Sequence, residues 1–158
     1  MKYVIAIDPG SEKSAYVIWD GETIQNANIV PNDELLRGFG VNKRSDFAWA
    51  GYGLVVEQIR CYGMTMGATL IDTVFWSGRF CQAWGKEFHL IPRMDVKMHL
   101  CHTSRAKDKN IRQALIDRFG PVPTKKIPNP VYNGHKISKD LWQSWALAVT
   151  HYDKQEDL

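Results

Sequence analysis

Three acidic residues occupy positions where a carboxylate needs a partner. Asp8 ends a short apolar run, residues 3–7, and Glu57 lies within a second one, Leu54-Val-Val-Glu-Gln-Ile59. Asp140 stands at the start of a long apolar stretch with helical spacing. A carboxylate buried in a strand is costly unless it is paired or holds a cation. The three acids are therefore candidate cation ligands.

Each acid also has an ordinary structural explanation. Asp8-Pro-Gly is a common turn sequence, and Asp140 can stabilise a helix N-terminus through the helix dipole. Glu57 is the hardest to explain in this way, because its apolar surroundings offer no charge partner nearby in the sequence.

The apolar runs predict a mixed α/β fold. Residues 3–7, 15–19 and 23–30 are short strands, and Asp20-Gly21 is a hairpin turn signal, which predicts three antiparallel strands. Two later strands, at 53–59 and 87–91, alternate with helices and should pair in parallel. Helices are predicted within 31–50 in part, and at 64–84, 94–100, 108–119 and 139–152, the last with Ser138 as N-cap. This order predicts a mixed central sheet with helices on both faces.

Length and composition limit the class of protein. The 158 residues, 44% hydrophobic and 23% charged, fit a single domain over residues 1–158. There is no apolar run of about 18–20 residues and no signal-peptide pattern, so we expect no membrane span and a cytoplasmic protein.

The odd count of three cysteines predicts reduced thiols. His99, Cys101 and His102 suggest zinc, but the sequence lacks the second ligand cluster of a structural site.

The net charge of +3 conceals a strongly polarised chain. Residues 86–139 contain 12 basic and four acidic residues, a net charge of +8, whereas the remainder carries −5. The segment includes a loop, residues 120–130, whose four prolines exclude a helix or central strand. Such polarity suits a polyanion lying against one part of the fold, although a solvated lysine-rich surface would look the same.

Three motifs taken together resemble those of the RuvC-type Holliday junction resolvases. Ile5-Ala-Ile-Asp-Pro-Gly-Ser11 followed by Ala15-Tyr-Val-Ile18 looks like their first motif, and Leu54-Val-Val-Glu-Gln58 like their second. Asp140 followed by Trp145-Ala-Leu-Ala-Val-Thr-His151 looks like their C-terminal motif. The motifs occur in the family's order and span nearly the whole chain.

This resemblance implies an RNase H-like fold and a metal-dependent endonuclease. Asp8, Glu57 and Asp140 would be the catalytic residues and the ligands of Mg²⁺ or Mn²⁺, two ions per active site, with Asp8 bridging both. The expected partner is branched DNA, a four-way junction cut symmetrically by a homodimer in a bacterial or phage-infected cell. The long helix at 64–84 is the candidate dimer interface, unless the monomer's own core buries it.

The resemblance extends to basic residues between the second and last motifs. Lys97 and Lys109 match two lysines implicated in the family's catalysis, although Lys107 is close enough to compete with Lys109. Such a lysine can orient the phosphate or stabilise charge in the transition state, but plain surface lysine is the alternative for each. The candidate DNA-binding residues are Arg60, Tyr62, Lys107, Arg112, Lys125 and Lys126.

Two positions depart from the family pattern. Three residues after the helix aspartate the family has a second acid, whereas this chain has Gln143. Gln143 is thus a candidate metal ligand through a neutral carbonyl oxygen, but it supplies no negative charge. The position of the aromatic wedge found in some members is Arg60, with Tyr62 nearby.

Three other functions compete with a junction resolvase. Gln143 favours a junction-binding protein with weakened catalysis. An RNase H-like nuclease for flaps or RNA–DNA hybrids would carry the same acids. An ATPase of the actin/Hsp70 kind shares the strand-Asp-x-Gly motif, but the chain is too short for two lobes and lacks a second glycine-rich phosphate loop.

Overall fold

A five-stranded mixed sheet forms the centre of the fold. The computed structural model describes residues 2–41 and 49–156. The strands are β1 (Tyr3–Asp8), β2 (Lys13–Trp19), β3 (Ile24–Pro31), β4 (Tyr52–Gln58) and β5 (Phe88–Pro92). They lie in the order β3-β2-β1-β4-β5, with antiparallel pairing among β1, β2 and β3 and parallel pairing of β1 with β4 and of β4 with β5. The predicted antiparallel meander followed by parallel strands is confirmed.

Helices cover both faces of the sheet, as predicted. They are α1 (Asn32–Val41), α2 (Ala68–Trp84), α3 (Arg93–Cys101), α4 (Asp108–Phe119) and α5 (Leu141–Glu156). The helices α1 and α2 pack on one face, and α3, α4 and α5 on the other. None of the helices in the described ranges has the length and apolar character required to span a membrane.

Alternation along β1 sets the direction in which the acidic residues point. Val4 and Ala6 pack into the core beneath α5, whereas Ile5 and Ile7 pack into the opposite core against α1 and α2. Because side chains alternate along a strand, Asp8 continues the Val4–Ala6 series toward the α5 side. The same argument applies on β4, where Val55 faces the α5 core and Glu57 follows two residues later.

Helix α5 is the centre of the larger core. Residues 141–150 are all buried, and Trp145 is completely inaccessible to solvent. The indole of Trp145 contacts the rings of Trp19, Phe119 and Tyr132, at centroid distances of 5.7, 5.2 and 5.2 Å. These contacts fix α5 against the sheet and so fix the position of the residues at its start.

Two helices begin later than predicted, and both delays have a backbone cause. Helix α2 starts at Ala68 instead of residue 64, because its N-cap residue Gly67 has an extended backbone (φ −79°, ψ 164°). Helix α5 starts at Leu141 instead of residue 139, because Lys139 is left-handed (φ 49°). Ser138 is therefore not the N-cap.

The helix predicted in part within residues 31–50 is present as α1. Residues 42–48 of that prediction lie outside the described ranges.

The three cysteines are free thiols, in agreement with the expectation from their number. They are Cys61, Cys81 and Cys101.

Candidate active site

The carboxyl ends of the three parallel strands bring polar side chains together at one edge of the sheet. In the parallel register Ile7 pairs with Val56, and Glu57 pairs with Ile91. Asp8, Glu57 and Arg93 therefore follow one another across β1, β4 and the end of β5. Ligand sites in open α/β sheets lie outside the carboxyl ends of the strands.

The turn after Asp8 is held by a network of buried polar groups. The backbone N–H of Gly10 donates to Ser14 Oγ (3.2 Å), whose hydroxyl donates to Asn32 Oδ1 (2.6 Å). The amide of Asn32 donates back to the carbonyl oxygen of Gly10 (2.8 Å). A Cβ atom on Gly10 would clash with the carbonyl oxygen of Lys13, so glycine is required here. This network fixes the end of β1 and with it Asp8.

Asp8 and Glu57 form a largely buried carboxyl pair. Their side chains are only 12% and 13% exposed. Burial, together with the negative charge of Glu57 and a hydrogen bond to it, raises the pKa of Asp8 to about 9, even though the charge of Arg93 opposes the shift. The shift favours a protonated Asp8 carboxyl group, whose O–H can donate a hydrogen bond to Glu57.

Arg93 is the cation of this site, and the sequence analysis missed it. Its Nε and Nη2 atoms each donate to one oxygen of Glu57, both at 3.1 Å. The Nη2 atom also lies 3.8 Å from Asp8 Oδ2, and Nη1 lies 3.4 Å from Asp108 Oδ1. Arg93 directly follows β5, as polar residues end β1 and β4. Its place at the end of a strand is a sequence signal, but its partner Glu57 is 36 residues away in the chain.

Asp140 joins this edge from the start of α5, but less directly. It immediately precedes the helix, its carbonyl oxygen accepts the backbone N–H of Ser144 (3.0 Å), and its side chain is exposed. Its charge is the last of the influences that raise the pKa of Asp8. Gln143 lies in the first turn of the helix and is 8% exposed.

The described ranges contain no group of three His, Cys, Asp or Glu side chains close enough to hold a metal ion. The structure thus pairs Asp8 directly with Glu57, whereas Asp140 interacts with Asp8 through its charge. His99, considered above for zinc, instead lies with Nε2 at 2.7 Å from Asp153 Oδ2.

A pocket of about 370 Å³ opens beside the carboxyl pair. Glu57, Arg93 and Lys97 line it, together with Arg60 and Tyr62 from the segment after β4. Arg60 is oriented by two hydrogen bonds to Gln58 Oε1 (3.0 and 2.9 Å), and the Tyr62 side chain is 62% exposed. Three predicted site residues, Lys97, Arg60 and Tyr62, therefore share one pocket with Glu57.

The remaining predicted basic residues lie on the surface beyond this pocket. Lys107 and Lys109 flank Asp108 at the start of α4, and Arg112 stacks over Trp142 at 5.0 Å from the ring centroid. Lys125 and Lys126 are exposed in the proline-rich loop. In the described part of the chain, none of these five residues lines the pocket.

Comparison with known proteins identifies the fold. No family model matches the chain, and no match was found among curated proteins. Solved structures are similar along almost the full length, including two of Thermus thermophilus RuvC. The Thermus thermophilus RuvC structure has a TM-score of 0.66 at 15% identity, covering 98% of this chain and 96% of that one. T. thermophilus RuvC in complex with Holliday junction substrate has a TM-score of 0.68 at 17% identity, covering 99% and 97%. The chain therefore has the RuvC-type resolvase fold, an α/β fold of the RNase H-like kind.

Proposed function

We propose that the protein is a structure-selective endodeoxyribonuclease that cleaves branched DNA by metal-dependent hydrolysis, with the four-way junction as its substrate. The single observation that carries the proposal is the buried Asp8–Glu57 pair at the carboxyl edge of a sheet with RuvC topology. Lys97 lines the pocket beside that pair, and its positive charge would bind the scissile phosphate. Residues 1–158 would act as one nuclease domain.

The chemistry of the site fits divalent cations. Burial and the adjacent charge of Glu57 raise the pKa of Asp8 to about 9, because ionising it costs desolvation and places like charges together. A divalent cation would stabilise both ionised groups, and their hard oxygen atoms suit Mg²⁺ or Mn²⁺. Asp8 and Glu57 would hold the ions, with Asp140 and Gln143 contributing from the start of α5. When bound, two such ions would supply an activated water and stabilise the leaving oxygen.

The chain's own residues would position the DNA. Lys97 faces the pocket beside Glu57 and would orient the scissile phosphate. Arg60 and Tyr62, on the same pocket, would contact the bases or backbone where the strands separate at the branch. The outer basic residues would bind backbone phosphates and set the orientation of the duplex arms. These outer residues are Lys107, Lys109, Arg112, Lys125 and Lys126.

A homodimer would match the symmetry of a four-way junction, because two coordinated cuts need two related sites. Helix α2 supports this assignment. Its C-terminal half packs into the core through Phe80 and Trp84, but its N-terminal half exposes Ile71, Val74 and Phe75. A neighbouring groove of about 650 Å³ is mostly apolar and continues this surface to β5.

A substrate comparison tests the proposed function. A four-way junction, a flap, a linear duplex and an RNA–DNA hybrid would each be incubated with Mg²⁺ and with EDTA. We expect symmetric nicks in the junction with Mg²⁺ only, and two chains per junction by light scattering. Junction affinity should fall steeply between about 50 and 200 mM salt, through counterion release. If the flap or the hybrid is cleaved while the junction stays uncut, that molecule would be the proposed substrate instead.

A junction-binding protein with weakened catalysis is the second candidate. The observations that favour it are Gln143 in place of an acid and the exposed side chain of Asp140. Both reduce the negative charge available close to Asp8 and Glu57. Binding of the junction without cleavage at any metal concentration would support this candidate.

Replacing Gln143 with Asp or Glu should lower the metal concentration needed for cleavage. An added carboxylate offsets more of the charge of two divalent ions, so we expect the half-maximal Mg²⁺ concentration to fall about tenfold, equivalent to about 1.4 kcal/mol. Gln155→Glu, at an exposed position in the last turns of the same helix, is the matched control and should leave it unchanged. An unchanged metal requirement in the Gln143 variants would exclude this position as a ligand. Cleavage by a Gln143 variant but not by wild type would favour the binding protein.

A further inference from the structure

The guanidinium group of Arg93 occupies the place where the proposed function requires a divalent ion. Its Nε and Nη2 atoms engage both oxygens of Glu57 at 3.1 Å, and Nη2 lies 3.8 Å from Asp8. This is the two-pronged arrangement in which arginine binds carboxylates most strongly. Glu57 therefore has its charge already compensated and both of its oxygens engaged.

The position of Arg93 in its helix is not explained by helix stability. Arg93 is the first residue of α3, whose N-cap residue is Pro92. A cation at a helix N-terminus opposes the helix dipole and is unfavourable there. The acidic groups around the guanidinium, not the helix, account for its placement.

Asp108 gives Arg93 a second position to occupy. Its Oδ1 atom lies 3.4 Å from Arg93 Nη1, and its side chain is 67% exposed at the start of α4. The guanidinium thus bridges a buried carboxyl pair on one side and an exposed carboxylate on the other. If the Arg93 side chain released Glu57, the contact with Asp108 that it already makes could hold it on the outer side.

Resting on the proposed function, we propose that Arg93 is a built-in competitor of the metal ions, held on Glu57 and Asp8 in the metal-free protein and transferred to Asp108 when the site is loaded. A guanidinium and a divalent ion repel each other strongly at contact distance in a partly buried site. Arg93 must therefore leave Glu57 before the carboxylate can bind metal. Arg93 acts here as a positioning residue.

The transfer would couple metal binding to DNA binding. An exposed ion pair such as Arg93–Asp108 is weak, so the outward guanidinium remains available to a backbone phosphate at the pocket, which Arg93 also lines. DNA that holds Arg93 outward would favour metal on Glu57, and metal would favour the DNA contact to the same degree. Such coupling would keep the site poorly loaded until DNA is bound.

Metal binding without DNA tests this inference independently of cleavage. Mn²⁺ binding would be followed by the electron paramagnetic resonance signal of the free ion for wild type, Arg93→Gln and Arg93→Lys. The control is Arg105→Gln, which removes the same charge at an exposed position of the basic segment. We expect the Kd of Arg93→Gln to be at least about tenfold lower than that of wild type, Arg93→Lys to lie between them, and Arg105→Gln to match wild type.

Thermal unfolding separates competition from a purely structural role. Without metal, Arg93→Gln leaves the carboxyl pair uncompensated, so its Tm should fall, and Mn²⁺ should raise its Tm by more than it raises that of wild type. If Arg93→Gln binds Mn²⁺ no more tightly than wild type and gains no extra stability from it, the inference is wrong and Arg93 is a structural clamp. In that case wild type would still bind Mn²⁺. If neither wild type nor any variant binds Mn²⁺, the metal site of the proposed function is wrong instead.

A double-mutant cycle tests the role of Asp108. Asp108→Asn should weaken Mn²⁺ binding in wild type, because it removes the outer position of Arg93. The same change should have no effect in the Arg93→Gln background. An equal loss in both backgrounds would mean that Asp108 acts only through its charge, and the proposed transfer would be wrong.

Discussion

Asp8→Asn is expected to abolish cleavage and, at the same time, to stabilise the metal-free protein. In the unfolded chain the pKa of Asp8 is near its ordinary value of 3.8, whereas in the folded protein the pKa is raised to about 9. The folded state binds one more proton between these values, so the stability of the wild type falls as pH rises through this range. The amide introduced by the substitution can donate the same hydrogen bond to Glu57 without a proton to lose. The advantage of the variant in Tm, measured in EDTA, should therefore grow from about pH 5 to about pH 8.5.

The loss of cleavage should leave DNA binding intact. The proposed phosphate contacts lie on other residues, so junction affinity of Asp8→Asn should match that of wild type, whereas no product should form with Mg²⁺ or Mn²⁺. Asp33→Asn makes the same chemical change at a side chain that is 64% exposed and should affect neither property. Cleavage by Asp8→Asn at the wild-type rate would refute the metal-site assignment.

Trp145→Ala is expected to have the largest effect on stability. Removing a fully buried indole from a close-packed aromatic cluster typically costs about 3–5 kcal/mol, a large share of the roughly 5–15 kcal/mol that stabilises a domain. For a chain of this size the Tm should fall by about 10 °C or more. Chemical denaturation and thermal unfolding followed by circular dichroism would measure both quantities.

Two further variants make the Trp145 result interpretable. Trp145→Phe keeps an aromatic ring and also removes an indole N–H that has no hydrogen-bond partner in the described part of the chain, so its loss should be smaller. Tyr62→Ala, at an exposed side chain, should leave the Tm nearly unchanged. A Trp145→Ala protein as stable as Tyr62→Ala would contradict the central place of α5 in the core.

The sequence was sufficient to predict the sheet because its apolar runs are short and clearly bounded. The runs ending at Asp8 and containing Glu57 are strands with polar groups at their carboxyl ends, and parallel pairing brings such ends together. That the two carboxyl groups would share a hydrogen bond follows from a register that no sequence pattern specifies.

Arg93 could not be assigned a role from local patterns alone. Its main partner, Glu57, is 36 residues away in the chain, and only the pairing of β4 with β5 makes them neighbours.

The late start of α5 could not be predicted for a different reason. Lys139 adopts a left-handed conformation that non-glycine residues rarely adopt, so Asp140 lies before the helix and is exposed, unlike Gln143.

The packing of α5 against β1 and β2 has a consequence for the protein during its synthesis. Trp145 contacts Trp19 across the core, and Asp8 and Asp140 approach one edge of the sheet from chain positions more than 130 residues apart. Contacts so distant in sequence form late in folding. A growing chain on the ribosome can therefore contain Asp8 and Glu57 yet remain unable to assemble the proposed site until α5 has emerged and docked. The order of the elements alone would keep the proposed site incomplete until that point.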